Sequence, residues 1–162
     1  MTVSTCRGGP RRARGARLAA AAIVTAATVL TAHCGGTSAS TAPSPSVSLT
    51  GTFSGSASDT SGPGSMTWTL SQNGASVSGS ATLADDTTGV SGRGTISGTL
   101  AGAALSFTIT IPAGGFPAPY GACTAQTQGS AQATGASIQG IYNGQNSCTG
   151  PFQNGRFSLT KQ

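Results

Sequence analysis

From Val47 onward, apolar or small residues alternate with hydroxylated ones, and the two-residue period returns along most of the remaining chain. No other feature restricts the fold as strongly, because a period of two places successive side chains on opposite faces of an extended strand. In the first stretch Val47, Leu49, Gly51, Phe53, Gly55 and Ala57 share one face, and Ser48, Thr50, Thr52, Ser54, Ser56 and Ser58 share the other. The pattern recurs at Met66–Leu70, Ala75–Leu83, Gly92–Leu100, Leu105–Ile111, Cys123–Ala131, Ile138–Tyr142 and Phe157–Leu159. These are eight strands, and no stretch between them has a helical period. An all-β domain is therefore predicted over residues 47–162.

The connections refine the prediction. Gln72-Asn73-Gly74, Ala101-Gly102 and Thr134-Gly135 read as tight turns, the Asn-Gly pair being the strongest short hairpin signal. Ser58–Gly64, Ala84–Val90, Pro112–Ala122 and Asn143–Asn154 read as long loops. Long and short connections alternate. In an up-and-down meander successive connections lie at opposite ends, so the long loops are expected to gather at one end. Closure into an eight-stranded antiparallel barrel removes the exposed edges. The alternative is a β-sandwich, which needs connections that cross between sheets.

The leader has a different composition. Arg7, Arg11, Arg12, Arg14 and Arg17 stand in a segment without acids, and an apolar or small-residue run follows from Leu18 to Ala32. That is the arrangement of a secretory signal peptide, expected here over residues 1–33. The run is shorter than the roughly 20 residues that a membrane-spanning helix needs. Residues 34–46, rich in Gly, Ser and Pro, read as a flexible tether.

The formal charge of +5 belongs to this leader. Beyond Cys34, Arg93, Arg156 and Lys161 balance Asp59, Asp85 and Asp86. A neutral body without a basic stripe carries no footprint for a phosphate backbone, so no nucleic-acid partner is expected.

The junction Leu30-Thr31-Ala32-His33-Cys34-Gly35-Gly36 resembles the lipobox of bacterial lipoproteins. The resemblance implies that Cys34 is acylated, becomes the first residue of the mature protein and holds it to a membrane of the bacterial envelope. The alternative is ordinary cleavage after Ala32 and a soluble exported protein. Cysteine arithmetic favours the first reading. Cys6 leaves with the leader, and acylation of Cys34 leaves Cys123 and Cys148 as an even pair in an oxidising compartment. In the predicted topology both fall at the long-loop end, so a disulfide between them is geometrically allowed.

The body resembles the calycin architecture, the avidin-like and lipocalin-like barrels. Leu49-Thr50-Gly51-Thr52-Phe53-Ser54-Gly55 is similar to the Gly-Thr-aromatic opening of avidin-like chains. The resemblance implies an up-and-down barrel able to hold one small ligand. Biotin binding does not carry over: avidin-like proteins surround biotin with several tryptophans, and this chain has only Trp68.

Catalytic chemistry finds little support. The only histidine is His33, before the expected mature N-terminus, and the chain has no glutamate. Hydroxyl nucleophiles would lack an evident base. No catalytic residue, cofactor or metal is expected. Asp59, Asp85 and Asp86 share the long-loop end but match no cation-binding loop. Aromatic residues give the functional lead. Trp68, Phe107, Tyr120 and Tyr142 are the candidate ligand-binding residues, in an apolar cup opening at the long-loop end. The competing expectation is that the rings fill the barrel and leave no cup.

Overall fold

The computed structural model describes residues 44–162; the expected signal peptide, Cys34 and most of the expected tether lie outside them. The described chain forms β1 (Gly51–Asp59), β2 (Gly62–Asn73), β3 (Ser76–Asp85), β4 (Ser91–Ala101), β5 (Ala104–Ile111), β6 (Ala125–Ala133), β7 (Ser137–Asn146) and β8 (Gly150–Lys161). Each strand pairs antiparallel with its sequence neighbour, and β8 returns to β1 to close an eight-stranded barrel. At the closing seam Gly55 stands opposite Leu159 and Ala57 opposite Phe157. The barrel and its order are those predicted, and the sandwich alternative falls away.

The alternation explains the core. Phe53, Met66, Trp68, Leu70, Ile96, Leu100, Leu105, Phe107, Ile109, Ile138, Tyr142, Phe157 and Leu159 are buried, each on the face assigned by its period. Hydroxyls and amides between them face out. In the middle of the barrel, Trp68 packs against Phe107 and Phe157 with ring centroids 4.9 Å away in both cases. Phe107 meets Phe157 edge-on at 5.6 Å. Tilted and edge-on arrangements are those favoured by the ring quadrupoles. The three rings fill the cross-section.

Two expectations are corrected. Ser58–Gly64 and Asn143–Asn154 are mostly strand, not long loops: β1 and β2 pair out to Asp59 opposite Gly62, and β7 and β8 pair out to Asn146 opposite Gly150. Their Pro, Gly and Asn residues imitate loops, but pairing with a neighbour overrides that local preference. The longer connections are 86–90 and 112–124, and both lie at the end where β1 finishes. The second correction concerns strand one. Val47–Thr50 precede β1, which begins at Gly51. Leu49 is nevertheless fully buried, its N–H donating to Gln72 Oε1 at 2.7 Å. Ser46 N–H donates to the carbonyl of Gly102 at 3.0 Å. This segment lies against the β2–β3 and β4–β5 turns, and Leu49 stops that end of the core.

Candidate functional site

The end opposite Leu49 is built differently. It is formed by the β1–β2 and β7–β8 turns and the two longer connections, and it encloses an open recess of about 260 Å³. Met66, Ile111, Ala125 and Tyr142 reach into the recess from β2, β5, β6 and β7. Phe116 and Tyr120 come from the 112–124 connection, and Phe152 from β8. Thus the aromatic cluster packs the middle of the barrel, and a recess opens at this mouth.

Three of the mouth rings lie against glycines of the wall. Phe116 occupies the space that a side chain at Gly92 would take, and Phe152 that of a side chain at Gly144. Tyr142 faces Gly155 so squarely that a Cβ there would lie 2.6 Å from three of its ring atoms. Glycine lets each ring recede into the wall, and the recess is the volume so freed.

Phe152 enters the recess because β8 carries a bulge. Tyr142 pairs with Gly155 and Gly144 with Phe152, so Gln153 and Asn154 together oppose Asn143. Asn154 takes the left-handed backbone conformation (φ 59°), and its N–H donates to Asn143 Oδ1 at 3.0 Å. Five positions separate Phe152 from Phe157, an odd number that would send them to opposite faces in a regular strand. The extra residue returns both to the inside.

The polar groups of the recess are few. Tyr142 Oη donates to Asp59 Oδ2 at 2.9 Å, and Ser61 N–H donates to Asp59 Oδ1 at 2.7 Å. Burial, then the bond to Asp59 and its charge, push the Tyr142 phenol far above its ordinary value, so it stays protonated as a donor. Asp85 also lines the recess. Its Oδ1 accepts from Thr87 N–H at 2.7 Å and Thr88 N–H at 3.2 Å. Desolvation acts to raise its carboxyl, but these bonds outweigh it and hold the group below the usual carboxylate value.

A disulfide closes one side of the mouth. Cys123, just before β6, is bonded to Cys148 in the β7–β8 turn, with Cα atoms 5.7 Å apart. Both cysteines line the recess.

The four aromatic candidates divide into two pairs. Tyr120 and Tyr142 line the recess, Tyr120 being 42% exposed and Tyr142 buried. Trp68 and Phe107 lie in the interior cluster and are not among the lining residues. The indole N–H of Trp68 is buried without a partner. Sequence reasoning left Met66, Phe116, Phe152, Asp59 and Asp85 out of the binding set. The alternation marked Met66 as inward, but periodicity carries no information about depth along the barrel. Phe152 falls inside the expected 143–154 loop; it stands instead on β8, where the bulge turns it toward the recess. Asp86 is exposed, and among the described residues no group of three His, Cys, Asp or Glu is placed to hold a metal ion. The chain matches no family model, and no curated protein matches it.

Proposed function

We propose that the protein is an exported, lipid-anchored binding module that holds one small, largely apolar ligand in the mouth recess. The observation that carries this reading is the recess itself: apolar-lined space at one end of a barrel whose middle holds a packed aromatic cluster. Its volume of about 260 Å³ falls just below the small end of the range for small-molecule pockets, roughly 300–1,000 Å³. The ligand is therefore compact. Tyr142 and Asp59 supply the polar contacts that orient it, and the disulfide keeps the opening from collapsing.

Export and anchoring rest on the leader and on the lipobox-like junction at Cys34. The chain enters the barrel at the end opposite the recess, so a membrane tether would leave the mouth facing outward. Binding, not catalysis, is proposed, because the body beyond Cys34 has neither His nor Glu to serve as a base.

Two experiments test the proposal. Mass spectrometry of the mature protein from a bacterial host is expected to find an acylated N-terminal Cys34; a free N-terminus at His33 would contradict the anchor. A thermal-shift screen of the soluble body against small metabolites and short-chain lipids is expected to give stabilisers whose effect is lost in Ala125→Phe, which fills the recess. A competing reading, a structural or interaction lipoprotein of the envelope, has the filled middle of the barrel in its favour. It is supported instead if no compound stabilises the native chain.

A further inference from the structure

We infer that the mouth recess is built for a small organic cation, an alkylammonium or quaternary ammonium group bearing a short apolar chain. This rests on the reading of the recess as a ligand site and narrows its ligand class.

The described residues carry Asp59, Asp85, Asp86, Arg93, Arg156 and Lys161 as charged side chains. The two that line the recess, Asp59 and Asp85, are both carboxylates. The cations lie elsewhere. Arg93 and Arg156 are exposed on outward-facing positions of β4 and β8. Lys161 stands at the far end, its Nζ 5.7 Å from the centroid of the Phe53 ring. A body balanced in formal charge has thus placed two negative groups and no positive one around its cavity. An anionic ligand would be repelled, and a neutral one could use the carboxylates as acceptors but not their charge.

Phe116, Tyr120, Tyr142 and Phe152 surround the same space. Ring faces attract cations, and cages of aromatic side chains are the usual receptors for quaternary ammonium groups. Tyr142 meets Phe152 edge-on at 6.2 Å. Because Tyr142 donates a hydrogen bond to Asp59, its ring is richer in electrons and a better partner for positive charge. The same bond fixes the carboxylate beside the ring.

A metal ion fits less well. Calcium takes six to eight oxygen ligands, whereas here Asp59 spends both oxygens on Ser61 and Tyr142, Asp85 Oδ1 is held by Thr87 and Thr88, and the remaining wall is mainly apolar. A weakly hydrated organic cation asks for that mixture of rings and distant carboxylates.

The test compares choline with its neutral isostere, the alcohol in which carbon replaces the quaternary nitrogen. Both are titrated into the full chain by calorimetry, and amide NMR maps the site. Choline is expected to bind about tenfold or more tighter than the isostere and to shift amides around Asp59, Asp85 and Tyr142. Asp59→Asn removes the charge and keeps an acceptor for Ser61 N–H, its amide NH2 then facing Tyr142 Oη, which can accept from it. The variant is expected to lower choline affinity several-fold more than it lowers that of the isostere. Equal binding of the two compounds would overturn the cation inference and leave the apolar recess standing. Binding of neither would overturn both.

Discussion

Asp59 and Asp85 stand in similar places, at the ends of β1 and β3, and do different work. Asp59 orients Tyr142 across the mouth, a bond spanning 83 positions of sequence. Asp85 shapes its own turn through Thr87 and Thr88. Only the second role is legible in the sequence. A loop aspartate reads as a turn former, which describes Asp85 and misses the partner of Asp59. The folded-state value of Asp85 lies below its unfolded value, so its charge stabilises the fold above the unfolded pKa, roughly 3.9, and that contribution is lost as pH falls through the folded value. Asp85 is partly exposed, and solvent screening keeps the effect small. Asp85→Asn preserves the acceptor and removes the charge. Its melting temperature is expected to fall slightly below that of the native chain near neutral pH and to converge with it as pH falls through the folded value. A gap that persists at acid pH would show that shape, not charge, is at issue. Trp68 marks the opposite limit of sequence reading. Its inward direction follows from Met66-Trp68-Leu70, but its depth does not, and it belongs to the filled middle.

At the scale of the element, the strands were legible wherever apolar and hydroxylated residues alternate without interruption. They were misjudged at β1–β2 and β7–β8, where Gly62-Pro63-Gly64 and Asn143-Gly144 carry loop composition inside paired strands. Loop composition reflects local cost, and a strand held on both sides can bear it. The bulge on β8 is the most consequential such feature, since it reverses the parity between Phe152 and Phe157. Asn154 is tolerated there because Asn visits the left-handed region at little cost, while a branched side chain pays about 1–2 kcal/mol. Asn154→Val is therefore expected to lower stability by about that amount in urea unfolding, with Asn154→Gly near neutral. Equal losses for both would mean that the Asn side chain, not its backbone, holds the bulge.

At the scale of the whole molecule, closure follows from strand number and alternation, and the two ends differ because of what closes them. One end is stopped by Leu49 and the Gln72 side chain, which binds the backbone of Val47, Leu49 and Gly74. The other is left open and braced by the disulfide. The sequence made the cystine legible through an even count and a shared end, and the structure joins the same two residues. Their sequence separation of 25 makes the bridge worth about 3–4 kcal/mol in the chain-entropy treatment. A Cys123→Ala, Cys148→Ala double variant is expected to lose roughly that much in denaturant unfolding while keeping its β-sheet circular dichroism. A loss below about 1 kcal/mol would mean that the reduced chain is already constrained there. The recess itself was not legible, because filled and hollow barrels share one pattern of inward positions. What decides between them is the depth of each ring and the glycine it rests on.

The most direct measurement is methyl NMR under xenon pressure, since xenon enters apolar voids large enough to hold it. Saturable shifts are expected at the methyls of Ala57, Met66, Ile111 and Ala125 around the mouth, with none at Leu49, Leu100, Leu105 or Ile138. Shifts confined to the far end, or none anywhere, would contradict a barrel filled at its middle and hollow at its mouth.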